Sequence, residues 1–300
     1  MSFWQNIRLR YARFNTLEKL IAIMVVIFVV PLLLNTFFFL FNRSFLGWLT
    51  FFELSAELQT TLLRPWTLIT YGFFHGSLGH IFWNMLLLYI AGGLMLNLFQ
   101  EKLLLNTFFV GIIAGGVIYL LSYNFFPVFK SASSVLVGSS AGVMAVLVFM
   151  ASYMPNSPVR VFMFNIPLKY IALLFIFLDV VQIPTSNAGG HIAHLGGAFW
   201  GYFYQREFLK GNDIGGWFMR MVAAIQSVFR ASKPVKKRST KNTRSSKNSH
   251  GVDQKKVDAI LDKIAASGYE SLTKSEKEYL FRVLYITYRE LSISRTANIN

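Results

Sequence analysis

The sequence predicts an all-α membrane protein with six transmembrane helices, followed by a small cytoplasmic helical hairpin. Composition is the first reason, because 54% of the residues are hydrophobic and 14% are charged, whereas soluble chains average about 25% charged residues. The second reason is where the charges lie: only ten charged side chains fall between Leu20 and Gln205. The third is that this stretch divides into apolar segments of bilayer-crossing length.

The same composition excludes several classes of protein. The high apolar content excludes a chain that is mainly disordered. The chain has no Cys, which excludes a disulfide scaffold, a thiol nucleophile and a Cys-ligated zinc site.

Six apolar segments are the candidate spans, since about 20 residues at ~1.5 Å each cross ~30 Å of hydrocarbon. They cover residues 20–41, 79–99, 103–121, 138–154, 167–183 and 188–204. The first is too long for a signal-peptide core and has no small-residue cleavage site, so we interpret it as a retained span. The fourth is short because Pro155 and Pro158 follow it, so its first residues are expected to lie below the outer surface.

The distribution of Lys and Arg predicts the orientation of these spans. Basic residues precede the first span, flank the loops after the second and fourth spans, and follow the sixth, whereas the other loops carry only Arg43, Arg64 and Lys130. Cytoplasmic loops are enriched in positive charge. We therefore expect both termini to be cytoplasmic. The short N-terminal segment, with three Arg in about 20 residues, is similar to a weak organellar targeting segment, but a bacterial inner membrane is the expected location.

Four regions are predicted along the chain. Residues 1–19 form a cytoplasmic N-terminal segment, 20–209 the six-helix domain, 210–251 a basic flexible linker and 252–300 the helical hairpin. Residues 230–247 carry eight basic side chains and no acidic ones, which suits a solvated tether and also binding to anionic lipid. No motif indicates nucleic-acid binding, and none is expected. The hairpin shows apolar periodicity over 253–266 and a capping box at Thr273 and Glu276, and it is assigned to protein interaction or regulation.

Polar side chains converge at the outer ends of the second, fourth and sixth spans. They are His75 and His80, then Ser139 and Ser140, then His191 and His194. Because these three spans run in the same direction, their first turns are expected to meet at one depth. Ionisable groups inside a membrane are energetically costly and are typical of functional sites.

A Ser and a His at one depth predict nucleophilic catalysis, because a neutral His nitrogen can take the proton of the Ser hydroxyl. No intramembrane Asp is expected to orient that His, so the sequence predicts a two-residue Ser–His arrangement. His80 and Asn84 share one helix face. Together with the backbone N–H of Ser140 at a helix start, their donors suit an oxyanion.

Small residues predict a close approach of two of these helices. Gly197 and Gly201 form a small-xxx-small pair on the sixth span, and the fourth offers Gly138, Gly142 and Ala145. Tight packing is expected to bring the His of one span within hydrogen-bonding distance of the Ser of the other.

Three motifs in these residues resemble those of the rhomboid intramembrane serine proteases. His80-Ile-Phe-Trp-Asn84 is similar to the family's HxxxN, Gly138-Ser-Ser140 to its GxSx, and residues 193–201 to its AHxxGxxxG. The three occur in this order on spans two, four and six, which makes the match specific. The resemblance covers roughly residues 60–205 and implies a six-transmembrane-helix rhomboid-like bundle. The hairpin resembles the C-terminal helical segment of some bacterial members.

The resemblance also implies an activity. Ser140 would be the nucleophile, His194 the base, and His75 would lie near the oxyanion site of an endopeptidase. Its substrates would be single-span membrane proteins, cleaved within or beside their transmembrane helix. Neither a metal nor a cofactor is expected.

Alternatives remain open at this point. One is a catalytically silent rhomboid-like protein that binds membrane clients, although such proteins lack the nucleophile or the base. Another is an intramembrane metal site or transporter that uses the His residues, although the chain has no HExxH motif. We expect His191 to be structural or to line a water path, and Asp179, in span five, to reach the interface or to gate water entry.

Overall fold

A computed structural model describes residues 3–43, 45–130, 132–161, 163–229, 254–280 and 283. The chain divides into two compact units, Met1–Ala231 and Ser232–Asn300. The α-helices described in the first unit are α1 (Phe3–Arg13), α2 (Thr16–Leu40), α3 (Leu58–Leu63), α4 (Thr67–Thr70), α5 (Leu78–Leu98), α6 (Glu101–Phe125), α7 (Ser140–Tyr153), α8 (Leu168–Gln182), α9 (Ala188–Leu209) and α10 (Trp217–Phe229). Strands β1 (Leu54–Ser55) and β2 (Val135–Leu136) pair antiparallel, as do β3 (Pro158–Val161) and β4 (Phe164–Pro167).

Helices α2, α5, α6, α7, α8 and α9 lie where the six spans are predicted. Three of them, α2, α5 and α6, are long and apolar enough to cross a membrane by length and composition. Helices α7 and α8 have 14 and 15 residues, which is short of the ~20 needed for a full crossing. The count of six spans therefore stays a prediction.

Helix α2 begins at a capping box and then exposes an apolar surface. The side chain of Asn15 accepts the Glu18 N–H at 2.9 Å, and the Glu18 carboxylate accepts the Asn15 N–H at 2.8 Å, which satisfies two otherwise unpaired donors. Its buried residues are Leu17, Leu20 and Met24, all in the first half. The apolar second half is exposed, as suits a helix in contact with lipid.

Helix α7 is the centre of the bundle. Its residues from Ala141 to Ala151 are all buried, and an apolar helix buried on every side must be surrounded by other helices. Its largest interfaces are with α9 and α6. Glycine makes both possible: a Cβ on Gly197 would overlap the carbonyl oxygen of Ala141, and one on Gly142 would lie 2.7 Å from the carbonyl oxygen of Phe108 on α6.

The loops that contain β1 and Tyr71 are hydrogen-bonded to the segment that leads into α7. Leu54 of β1 pairs with Leu136 of β2, and the Gly138 N–H donates to the carbonyl oxygen of Tyr71 at 3.0 Å. The Tyr71 hydroxyl in turn donates to the carbonyl oxygen of Ile112 on α6 at 2.7 Å. The purely α-helical prediction missed these strands, because two-residue and four-residue strands are too short to show a period in sequence.

The prediction of a flexible linker over 210–251 is wrong for its first part, because α10 forms there. Phe218 of α10 is buried and stacks on Phe109 of α6, with ring centroids 5.1 Å apart. The N–H of Met219 donates to the Asn106 side chain at 3.2 Å. Packing on α6 therefore stabilises this helix. Residues 230–251 of the predicted linker lie outside the described residues.

The second unit contains α11 (Gln254–Ser267), which lies where the apolar periodicity predicted a helix. Gly268 ends it with φ +77°, a conformation that favours glycine. The predicted capping box follows, since the Glu276 carboxylate accepts the Thr273 N–H at 2.7 Å. The Lys263 ammonium contacts both oxygens of that carboxylate, at 3.0 and 2.9 Å. Residues 281, 282 and 284–300 of the predicted hairpin lie outside the described part.

This cluster predicts an acid titration in the second unit. The ammonium of Lys263, followed by the N–H and hydroxyl of Thr273, lowers the pKa of Glu276 to about 2. Because the pKa is depressed, the stabilisation is present above the ordinary carboxyl range and is lost as the pH falls towards 2. We expect the Thr273 amide chemical shift to titrate with a midpoint near 2, and Glu276→Gln to abolish the titration. A midpoint near the ordinary Glu value would contradict the contact.

Candidate active site

The structure brings Ser140 and His194 together. Ser140 is the first residue of α7, and His194 lies in the second turn of α9. The Oγ of Ser140 and the Nε2 of His194 are 2.7 Å apart, which is a hydrogen-bonding distance and is the separation that proton transfer requires. The glycines of α9 account for this closeness, because they let α9 touch the backbone of α7.

An aspartate contacts the His of this pair on the ring nitrogen that faces away from Ser140, contrary to the sequence prediction. Asp179 of α8 is 5% exposed, and its Oδ1 lies 2.7 Å from Nδ1 of His194 and 2.8 Å from Nδ1 of His191. It therefore points into the helix bundle rather than towards the membrane interface, and the expectation that no Asp orients the His is wrong. The predicted structural role of His191 takes a specific form, a hydrogen bond to this carboxylate.

Chain geometry contains a signal that could have located Asp179. It lies one turn before the end of α8, and His191 lies one turn after the start of α9. Adjacent antiparallel helices joined by a short turn place such residues at the same level. Asn187 fixes that turn, since it takes a left-handed conformation with φ 45° and its side chain accepts the Gly190 N–H at 3.3 Å.

Asp179, His191 and His194 also form a group that could offer ligands to a metal ion, with ligand atoms within 4.8 Å of one another. Ligand atoms that each lie about 2.0 Å from a tetrahedral metal stand ~3.3 Å apart. The two Nδ1–Oδ1 distances of 2.7 and 2.8 Å are shorter than that. The side chains as placed therefore fit hydrogen bonds better than a shared metal.

His80 and Asn84 lie on the first turns of α5 and line the same cavity as Ser140. Ser77 caps this helix by accepting the His80 N–H at 3.1 Å. The Asn84 amide is buried and donates one N–H to the carbonyl oxygen of His80 at 3.0 Å, and an Asn amide carries a second N–H. The His80 ring covers Gly138, where a Cβ would lie 2.6 Å from its Cε1.

Gly138 meets two demands at this point of the site. Its φ of +125° is rarely accessible to other residues, and the His80 ring leaves no space for a side chain. These two constraints explain why Gly stands two residues before Ser140.

A cavity of about 260 Å³ opens between these helices. Four helices contribute to its lining: His80 and Asn84 from α5, Ser140 and Met144 from α7, Phe175 from α8 and His194 from α9. It therefore joins the Ser–His pair and the candidate oxyanion donors in one space, bordered by α5 on one side and α8 on the other.

His75 contacts Ser139 rather than Ser140. Its Nε2 lies 3.1 Å from the Oγ of Ser139, and its ring centroid lies 5.1 Å from that of His80. Burial, and then the neighbouring His80, lower the pKa of His75 to about 4. The ring is therefore neutral near pH 7 and supports the segment 138–140 and His80 from the loop side.

Comparison with known proteins places this site inside a recognised domain. Residues 63–210 match the rhomboid domain, and residues 246–282 match a family of unknown function, DUF6576. Over 147 residues the chain is 28% identical to RHOMBOID-like protein 12, mitochondrial, of Arabidopsis thaliana, a match that covers 45% of this chain and 44% of that protein. The chain thus spans less than half the length of this relative. The chain therefore carries a rhomboid domain at residues 63–210, and its long apolar helices indicate an integral membrane protein.

Proposed function

We propose that this protein is an intramembrane serine endopeptidase in which Ser140 is the nucleophile and His194 the general base. The observation that carries the proposal is the 2.7 Å distance between the Ser140 Oγ and the His194 Nε2. A hydroxyl and an imidazole at this distance are the minimum that acyl transfer through a serine ester requires.

The proposed reaction uses groups that line one cavity. The Ser140 hydroxyl gives its proton to His194 Nε2 as its Oγ bonds to the substrate carbonyl carbon. His80, Asn84 and the Ser140 N–H donate to the oxyanion that forms. When the C–N bond breaks, His194 returns the proton to the leaving amine, and a water activated by the same base then releases the acyl group.

The proposed substrates are single-span membrane proteins. The cavity lies between α5 and α8, so a substrate segment would enter from the side of the bundle. Trp83, at the α5 border of the cavity, is 61% exposed. Because the carbonyls of a transmembrane helix are hydrogen-bonded within it, that segment must unwind before Ser140 can attack.

Membrane, orientation and further partners belong to the same proposal. Both termini would be cytoplasmic, as the Lys and Arg bias predicts, and the membrane would be a bacterial inner membrane. The eight basic residues of 230–247 would bind anionic lipid at that face, and the C-terminal hairpin would bind a protein partner. No nucleic acid takes part.

The test is cleavage of a single-span reporter by the purified protein in lipid bilayers. We expect wild-type cleavage, complete loss in Ser140→Ala, and retention in Ser152→Ala, which removes a hydroxyl from the other end of α7. EDTA is expected to leave the cleavage activity unchanged. A loss of activity on addition of EDTA would favour a metal mechanism. Reporter binding with neither cleavage nor reaction with a fluorophosphonate would favour the catalytically silent, client-binding alternative.

A further inference from the structure

We propose that Asp179 is a positioning residue that completes a Ser140–His194–Asp179 triad, and that His191 holds its carboxylate in place. The proposal rests on the proposed function, since it concerns how the base of that reaction is prepared. It extends the two-residue mechanism with two side chains that the motifs do not include.

Hydrogen bonding fixes both nitrogens of the His194 ring. An ionised carboxylate only accepts hydrogen bonds, so the Nδ1 that lies 2.7 Å from Asp179 carries the proton. The Nε2 of the neutral ring is then a bare acceptor, and the Ser140 hydroxyl donates to it over 2.7 Å. This is the tautomer that can remove the proton from Ser140.

The carboxylate also compensates the charge that develops during the reaction. When His194 takes the serine proton it becomes an imidazolium inside the protein, with the His191 ring centroid 5.8 Å from its own. An unpaired charge in such a place is strongly unfavourable. A carboxylate at Asp179 supplies the opposite charge at hydrogen-bonding distance from that imidazolium.

His191 has a separate task, which is to hold the acceptor oxygen. It lies three residues before His194 on α9, and its Nδ1 donates to the same Oδ1 at 2.8 Å. Among the described residues no donor reaches the other oxygen, Oδ2 of Asp179, which is buried. The two imidazoles therefore determine the orientation of the carboxylate between them.

An amide at position 179 would disturb this arrangement in a predictable way. If its NH2 group faces α9, it donates to the Nδ1 of His194 and drives the ring proton to Nε2, where it blocks acceptance from Ser140. If its oxygen faces α9, the NH2 group takes the buried position of Oδ2. In both orientations the negative charge of the carboxylate is lost. The corresponding change in a soluble Ser-His-Asp triad lowers kcat by about 10⁴-fold.

The first experiment compares kinetics in four variants. Asp179→Asn is expected to lower kcat by 10² to 10⁴-fold, as order-of-magnitude bounds, with KM unchanged. His191→Leu, which removes the second donor, is expected to lower kcat about 10-fold, and His191→Asn, which keeps an N–H near the place of Nδ1, to restore most of it. Phe199→Ala, on the exposed face of α9, is the control and should match the wild type.

The second experiment reads the tautomer without turnover, by ¹⁵N NMR of protein labelled at its five His residues. We expect a protonated Nδ1 and a bare Nε2 on His194 in the wild type, and a shift towards the opposite tautomer in Asp179→Asn. If the wild type cleaves no reporter, the proposed function fails while this measurement still tests the triad. A wild-type ring protonated at Nε2, or equal kcat in Asp179→Asn and wild type, would overturn the proposal. If Asp179→Asn does not fold, the comparison of His191→Leu with His191→Asn tests the proposal. Equal kcat values in these two variants would overturn it.

Discussion

Replacing His194 by alanine is expected to lower the single-turnover rate constant of reporter cleavage by at least about 10⁴-fold, and adding Ser140→Ala should lower it no further. In the proposed mechanism the two side chains act as one unit, because the Ser140 hydroxyl is a weak nucleophile without a base and His194 has no proton to remove without the hydroxyl. In serine proteases generally, removal of the nucleophile or the base alone costs about as much as removal of the whole set.

The measurement is single-turnover cleavage in bilayers, with excess protein over reporter, for the two single variants and the double variant. Reaction with a fluorophosphonate provides a second readout, because it needs an activated serine but no peptide substrate. We expect labelling of the wild type and of Ser152→Ala and none of the His194 variant. If the double variant were far slower than both single variants, the two residues would be acting independently, and the shared proton transfer would be wrong.

Ser140 and His194 could be found in the sequence because helical topology constrains them strongly. Two helices that run in the same direction put their first turns at one level, and the small residues at Gly197 and Gly201 allow those helices to touch. The glycine pattern also predicted which helices touch, although the glycines of the two helices do not all lie at the same interface. Gly197 packs on the α7 backbone, whereas Gly142 of α7 packs on α6.

The place of Asp179 could not be fixed in the same way. A single Asp in an apolar helix reaches the interface, a water path or a buried partner depending on how that helix is rotated. The rotation of α8 is decided by its packing on α9 and α7, which no periodicity reports. The matched one-turn offsets of Asp179 and His191 from the α8–α9 turn are the signal for this contact, and the sequence prediction did not include it.

Helix α10 escaped prediction for a different physical reason. The basic residues that follow it dominate the composition of 210–251, and its own apolar residues are too few to form a span. Its stability depends on Phe218 and Met219 contacting α6, more than 100 positions earlier in the chain. Such tertiary contacts are the main source of helix stability in proteins.

Replacing Gly197 by alanine is expected to lower the free energy of unfolding by about 3 kcal/mol and cleavage by about 10²-fold. The new Cβ would overlap the carbonyl oxygen of Ala141, and a backbone atom inside a central helix cannot turn aside as a flexible side chain can. Helices α7 and α9 must therefore separate. That separation lengthens the Ser140–His194 hydrogen bond, and misplacement of a catalytic group by about 1 Å is enough for such a loss.

A matched change elsewhere separates steric overlap from helix propensity. Gly93 of α5 has no atom within 4 Å of the place of a Cβ, so Gly93→Ala should leave cleavage unchanged and stabilise the helix by about 1 kcal/mol. The free energy of unfolding in detergent and the rate of reporter cleavage are to be measured for both variants. If Gly197→Ala kept wild-type stability and activity, α9 would not touch the α7 backbone, and the closeness of Ser140 and His194 would need another cause. If Gly197→Ala lowers the free energy of unfolding and Gly93→Ala raises it, the loss at Gly197 comes from steric overlap and not from helix propensity. The backbone contact of α7 and α9 would then set the distance between Ser140 and His194.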